Sequence, residues 1–88
     1  MFYARYLTVM TFASQEELEG ISDVLGTSCH KLKILMLQNN IIPRMENLHH
    51  LKELEYLNLA LNNIDMIQGN RAKLLASSLA LRSFFFQA

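Results

Sequence analysis

The sequence predicts an α/β solenoid, a fold in which short parallel strands stack side by side and the chain returns between them. Three observations predict it: an apolar pattern typical of a short strand, an asparagine that follows the pattern, and a second copy of both at a constant offset of 22 in residue number. The matched residues are Leu32, Leu35, Leu37, Asn40, Ile42 and Met45 in the first copy and Leu54, Leu57, Leu59, Asn62, Ile64 and Ile67 in the second. A constant offset over all of these positions is the signature of leucine-rich repeats.

Each copy is predicted to contain one strand, near 34–38 in the first copy and near 56–60 in the second. Side chains alternate along a strand, so the leucines point inward and the residues between them point outward. The outward residues are Ile34, Met36, Gln38, Tyr56, Asn58 and Ala60, and they are called the concave strip below. Parallel stacking is expected to place Ile34 beside Tyr56, Met36 beside Asn58, and Gln38 beside Ala60. Exposed Tyr, Met and Ile beside amides favour a protein-binding surface; ordinary surface filling is the alternative.

The two asparagines are predicted to be structural. Asn40 and Asn62 follow the strands where the chain turns away, and a buried amide there can bond the free backbone groups of the turn. On the return, Leu48 and Leu51 are expected to point inward, as is Cys29, which precedes Leu51 by the same offset as the two copies. Solenoids generally need three or more repeats, so the chain is expected to be a fragment of a longer repeat array.

The chain before the first copy divides into two segments. Segment 1–13 is an apolar lead-in, expected to be strand-like or disordered, and its charge layout argues against a signal peptide. Segment 14–28 is predicted to be an N-terminal capping helix, because Ser14 and Glu17 form a capping box and Gly26 can end the helix. Its apolar face would consist of Leu18, Ile21 and Leu25. A degenerate first repeat is the alternative.

Segment 70–88 follows the second copy and lacks a clear pattern. A helix over about 71–82 is favoured, because leucines and alanines there share helical faces. The alternative is a partial third repeat with a strand at 79–82, although the repeat offset then places Phe84 where the pattern has asparagine.

Composition narrows the function classes. The chain has 88 residues, enough for one domain, and its eight acidic residues balance eight basic ones. A neutral chain without a basic stripe gives no indication of nucleic acid binding. With a single cysteine there is no internal disulfide, which favours a reducing cytoplasm. No apolar run reaches the roughly 18 residues that a membrane span needs.

Catalytic and metal-binding motifs are missing from the sequence. It contains no glycine-rich phosphate loop, no G-x-S-x-G and no H-E-x-x-H. Cys29, His30, His49 and His50 could approach one another, but their spacing fits no zinc pattern. We therefore expect no catalytic residues, no metal and no cofactor, and the chain is not expected to be an enzyme.

The two copies resemble the short leucine-rich repeats of cytoplasmic regulatory and axonemal proteins, and one group in particular. Over Cys29–Gly69 the chain is similar to the N-terminal repeats of tilB-type leucine-rich repeat proteins, which are axonemal dynein assembly factors. The blocks LKIL-x-LQNN-x-I, the following EN, and L-x-x-LEYLNLALNNI carry the likeness. Pro43-Arg44-Met45 departs from the more usual polar-basic-Ile run.

The resemblance implies a non-enzymatic protein that helps to preassemble dynein arms for cilia and flagella in the cytoplasm. Its implied partners are chaperones, other dynein assembly factors or dynein subunits. Two other functions remain open for a repeat protein of this kind: a regulatory subunit of a protein phosphatase, and a structural component built into the axoneme.

Overall fold

One four-stranded parallel sheet organises the chain. The computed structural model describes residues 6–12, 17–65, 74 and 83–85. The strands lie side by side in chain order and are β1 (Val9–Thr11), β2 (Ile34–Met36), β3 (Tyr56–Asn58) and β4 (Ser83–Phe85). A short helix, α1 (Val24–Ser28), precedes β2 in the chain. The predicted α/β class is therefore confirmed as a small parallel sheet, with little helix in the described ranges.

The central pair of strands has the predicted alignment. Ile34 lies beside Tyr56, which reproduces the offset of 22 between the two copies. The outer strands follow other offsets, because Val9 pairs with Ile34 at an offset of 25 and Tyr56 pairs with Ser83 at an offset of 27. The sheet thus extends beyond the two copies into segments that do not share their spacing.

The core lies on one side of this sheet. Leu35 and Leu57, at the centres of β2 and β3, have no solvent exposure. The other buried apolar residues are Ile21, Cys29, Leu32, Leu37, Ile42, Leu48, Leu51, Leu54, Leu59 and Ile64. Every inward residue predicted from the two copies is in this set except Met45, which is half-buried, and Ile67, which lies outside the described residues.

Asn62 is buried and joins three parts of the chain. Its Nδ2 donates to the carbonyl of Leu37 in the preceding copy at 2.9 Å and to that of Leu59 in its own copy at 3.1 Å. Its Oδ1 accepts from the N–H of Ile42 at 2.9 Å. The carboxamide therefore supplies partners to buried backbone groups that no strand pairs.

Asn40 makes the same connections one step earlier. Its Nδ2 donates to the carbonyls of Phe12 at 2.8 Å and Leu37 at 3.0 Å, and its Oδ1 accepts from the N–H of Leu18 at 3.3 Å. Asn40 thereby links the first copy to the segment that carries β1. The structural role predicted for both asparagines agrees with these contacts.

The lead-in contributes a strand. Met10 and Phe12 are half-buried and pack against the core, whereas Val9 and Thr11 are exposed. This alternation is the pattern of a strand covered on one face. Met10 and Phe12 thereby anchor the segment to the core, which holds residues 9–11 beside β2.

The predicted capping helix is shorter than expected, which corrects the interpretation of segment 14–28. Helix α1 begins only at Val24 and continues through Gly26 to Ser28, so Gly26 does not end the helix as predicted. Residues 17–22 are not helical. The N–H of Leu18 bonds to Asn40, and the carbonyl of Ile21 accepts from Asn47 Nδ2 at 2.6 Å. Those backbone groups are used by the neighbouring copy, so they are not available to a helix. The start of the proposed capping box, Ser14, lies outside the described residues.

The C-terminal expectation also changes. The described strand that pairs with β3 lies at 83–85, whereas the alternative strand at 79–82 lies outside the described residues. Phe84 lies beside Leu57 with its side chain half-buried against the core. The helix proposed over about 71–82 lies outside the described residues apart from Leu74, which is helical and exposed. Among the described residues, none of the helical segments could span a lipid bilayer.

Candidate functional site

The concave strip lies together on the side of the sheet that faces away from the core. Ile34 lies beside Tyr56 and Met36 beside Asn58, the pairs that the offset predicts. All of its six residues are partly exposed. The N–H of Asn39 donates to the carbonyl of Ala60 at 2.9 Å, which brings the ends of the two strands together as well.

The sheet adds outward residues that the sequence pattern did not reveal. Val9 and Thr11 on β1 continue the first two of the three rows of the concave strip on one side, and Ser83 on β4 continues the first row on the other side. They were missed because the offsets of their strands, 25 and 27, differ from that of the two copies. The alternation of the apolar Met10 and Phe12 around the polar Thr11 was the signal that could have indicated β1.

A shallow groove of about 270 Å³ crosses all four strands at the end where they begin. Its floor is the row formed by Val9, Ile34, Tyr56 and Ser83, and its rim is formed by Thr8, Lys33 and Glu55. This volume is below the roughly 300–1,000 Å³ of pockets that bind small molecules. The groove therefore suits a few side chains of a larger partner.

Charge is distributed unevenly along the rim of the groove. Lys31 and Lys33 precede β2, whereas Glu53 and Glu55 precede β3. Lys31 Nζ lies 6.0 Å from the centre of the Tyr6 ring, at the limit of a cation–π contact. Lys33 is exposed at the rim, next to Ile34 on the floor of the groove.

Polar side chains mark the other end of the strip. Asn58 Oδ1 accepts from the N–H of Ala60 at 3.0 Å, so this amide supports its own turn. Gln38 Oε1 is buried, and within the described ranges it has no hydrogen-bond partner. An unpaired buried acceptor costs about 1–3 kcal/mol in stability. Gln38 differs in this respect from Asn40 and Asn62, whose side-chain oxygens each accept a hydrogen bond.

The described residues offer little reactive chemistry. Among them, no group of three or more His, Cys, Asp or Glu is arranged to hold a metal ion. The thiol of Cys29 is free and buried, and burial raises its pKa. A thiol with a raised pKa stays protonated and is a weak nucleophile.

Comparison with known proteins identifies relatives over about half of the chain. It is 54% identical over 50 residues to dynein axonemal assembly factor 11 of Trypanosoma brucei brucei, 55% identical over 47 residues to protein tilB of Drosophila melanogaster, and 70% identical over 33 residues to dynein axonemal assembly factor 11 of Danio rerio. These segments cover 57%, 53% and 38% of the chain.

The similarity is confined to a short part of each relative. The matched segments span 13%, 12% and 8% of the trypanosome, fly and zebrafish proteins. No protein-family model matches the chain. No solved structure matches it either.

The identities with dynein axonemal assembly factor 11 and protein tilB confirm the resemblance to tilB-type proteins for a segment of the chain.

Proposed function

We propose that the chain is part of a non-enzymatic leucine-rich repeat scaffold that takes part in the assembly of axonemal dynein arms. The identity with proteins that bear the name dynein axonemal assembly factor 11 is the observation that carries this proposal. The lack of a metal cluster in the described residues and the burial of the one thiol are compatible with a binding role.

A repeat solenoid is the architecture that best accounts for the contacts. Two copies lie in register at their own offset, and each is bonded to the preceding segment through one asparagine. Identical contacts made by equivalent residues are expected of stacked coils that touch only their neighbours. In this arrangement the concave strip lines the inner curve of the stack.

The concave strip is the proposed partner-binding surface. Ile34, Met36 and Tyr56 provide apolar contact area, and Gln38 and Asn58 provide amides. The proposed partners are proteins, namely dynein subunits, other assembly factors or chaperones, and the proposed location is the cytoplasm of cells that build motile cilia or flagella. Neither nucleic acid nor membrane is a proposed ligand.

The test is an affinity purification of the tagged chain from the cytosol of such cells, with partners identified by mass spectrometry. We expect dynein arm subunits together with chaperones or other assembly factors. Recovery of a phosphatase catalytic subunit instead would favour a regulatory role, and retention of the chain in extracted axonemes would favour a structural one.

Variants localise the binding surface in the same experiment. Met36→Ala and Tyr56→Ala should reduce partner recovery, because they remove apolar contact area from the concave strip. Asn63→Ala is the matched control, since Asn63 is exposed and lies after the strand. Circular dichroism must show unchanged folding in all three. Equal recovery with all variants would place the partner-binding surface elsewhere.

A further inference from the structure

The groove across the start of the four strands has a floor whose backbone is already paired. The carbonyl of Thr8 accepts from the N–H groups of Lys33 at 2.8 Å and Ile34 at 2.9 Å. One step further, the carbonyl of Lys33 accepts from the N–H groups of Glu55 at 2.8 Å and Tyr56 at 3.0 Å. The groove therefore offers side chains to a partner, and these backbone groups are committed within the sheet.

This pairing restricts the kind of partner that fits the groove. An extended peptide laid across the strands would bring backbone N–H and C=O groups that find no complement on the floor, and unpaired buried groups are costly. A helix bonds its own backbone and presents only side chains. The groove consequently favours a helix over an extended segment.

Helix geometry also matches the spacing of the row. Neighbouring strands lie about 4.8 Å apart, and a helix rises about 1.5 Å per residue. Residues i, i+3 and i+7 on one helix face are therefore displaced by about 4.5 and about 10.5 Å, close to the distances from β1 to β2 and to β3. Apolar side chains at these positions would rest on Val9, Ile34 and Tyr56 in turn.

Charge at the rim orients the helix. Lys33 is exposed and lines the groove beside Ile34. An acidic residue on that flank beside Ile34 would meet the ammonium group and would gain the modest energy of an exposed ion pair. The flank position beside Tyr56 must not be acidic, because Glu55 lines the rim there.

We infer that the groove binds an amphipathic helix of a partner protein, with an apolar face at i, i+3 and i+7 and one acidic residue on the flank toward Lys33. This inference rests on the proposed function, because it names the kind of segment that the concave strip takes. The inferred contact is one row of the sheet, formed by Ile34 and Tyr56 of the concave strip together with Val9 of β1. The inferred partner segment is a helix.

The probe is a synthetic peptide of about four helical turns, held helical by a lactam staple, with Leu at i, i+3 and i+7 and one glutamate on the flank that meets Lys33. Binding to the full chain is measured by fluorescence anisotropy. We expect the unstapled peptide, with one central residue changed to proline, to bind at least about tenfold more weakly, because its helix is disrupted and it must order itself on binding. Equal binding of the two peptides would overturn the inference.

A charge reversal tests the orientation. Lys33→Glu should weaken binding of the glutamate peptide about two- to fivefold and strengthen binding of a lysine-flanked version by a similar factor, as expected for an exposed pair. Lys52→Glu is the matched control, because Lys52 is an exposed lysine in the turn before the second copy and does not line the groove. If Lys33→Glu changes the two peptides alike, the acidic flank is wrong.

Two further outcomes separate this inference from the proposed function. A chain that still recovers dynein-related partners but ignores the helical peptide would overturn the inference alone. A chain that binds the peptide but recovers no dynein-related partner would overturn the proposed function alone. Sedimentation of the free chain gives a third result: a dimer that Ile34→Ser dissociates would assign the groove to a second copy and overturn the inference.

Discussion

At the scale of single residues, the asparagines show how one side chain can fix the position of two strands. Asn62 accepts from one buried backbone group and donates to two others. Leucine has similar bulk and offers no hydrogen bonds, so the apolar pattern alone could not make these connections. The burial of Asn62, 7% exposed, is therefore compensated.

Replacing Asn62 should destabilise the fold. Asn62→Ala leaves the N–H of Ile42 and the carbonyl of Leu59 without the bonds that Asn62 provides, and we expect a loss of about 2 kcal/mol or more in the free energy of unfolding. Asn62→Asp should cost at least as much, because a carboxylate would face the carbonyls that now accept from Nδ2. Urea unfolding followed by circular dichroism measures both. The exposed neighbour Asn63→Ala should lose little, and an equal loss there would contradict this role.

A second feature at this scale is backbone strain beside the second asparagine. Leu61 has φ 58° and its side chain is 56% exposed. The equivalent residue in the first copy, Asn39, has φ 65°. The left-handed region costs an ordinary residue roughly 1–2 kcal/mol, and asparagine tolerates it better.

Leu61→Asn should therefore stabilise the chain by up to about 1 kcal/mol. The reverse substitution, Asn39→Leu, should destabilise it by a comparable amount. Thermal denaturation of the two variants beside the wild type measures both effects. A loss of stability in Leu61→Asn would mean that the leucine side chain makes packing contacts worth more than the strain that it causes.

At the scale of elements, α1 depends on the close approach of the neighbouring turn. A Cβ added to Gly26 would lie 2.9 Å from the Cβ of His50, closer than atoms pack, and the ring of His50 is within 3.5 Å. His50 also lies against His49, with ring centres 4.0 Å apart. The φ of Gly26 is not in the left-handed region, so its backbone conformation does not require glycine. Glycine is needed at this position because a side chain would collide with His50.

Gly26→Ala should consequently cost about 1–3 kcal/mol through overpacking. In a His50→Gly background the same change should cost much less, because the obstructing side chain is gone, and the double-mutant cycle should give a coupling of at least about 1 kcal/mol. Gly20→Ala is the control, as its added Cβ would meet only Glu46 Oε1 at 3.7 Å. Full additivity of Gly26→Ala and His50→Gly would rule out this contact as the reason for the glycine.

At the scale of the whole molecule, a single core extends under all four strands. Met10, Leu35, Leu57 and Phe84 occupy matching positions across the sheet, and their exposure is lowest at the two central strands. The two central strands should therefore contribute most to the free energy of unfolding. The two edge strands should contribute less, and they should unfold together with the centre because they pack on the same core.

Truncations along this row should follow that order. Leu57→Ala should cost about 2–5 kcal/mol, and Phe84→Ala should cost less, at most about 3 kcal/mol, because the phenylalanine is only half-buried. Both should shift one unfolding transition seen by circular dichroism and by amide exchange. If Phe84→Ala removes only an early transition and leaves the main one in place, β4 is not part of the common core.

Much of the central fold follows from the sequence. The two matching patterns, repeated at one constant offset, dictate the pairing of β2 with β3, the burial of the leucines and the position of both asparagines. The physical reason is that two parallel strands with the same apolar pattern bury the same face when their equivalent residues lie side by side. The predicted residues of the concave strip follow from the same alternation, and their role in binding remains a prediction.

The flanks of the fold were decided by tertiary structure. Residues 9–11 and 83–85 lack the repeat spacing, yet they form strands because the edges of β2 and β3 offer unpaired backbone groups that accept any suitable segment. Helix α1 is short because the neighbouring copy takes the backbone groups of Leu18 and Ile21. Local sequence carries no record of such long-range backbone contacts, and the groove that they create across four strands exists only in the assembled sheet.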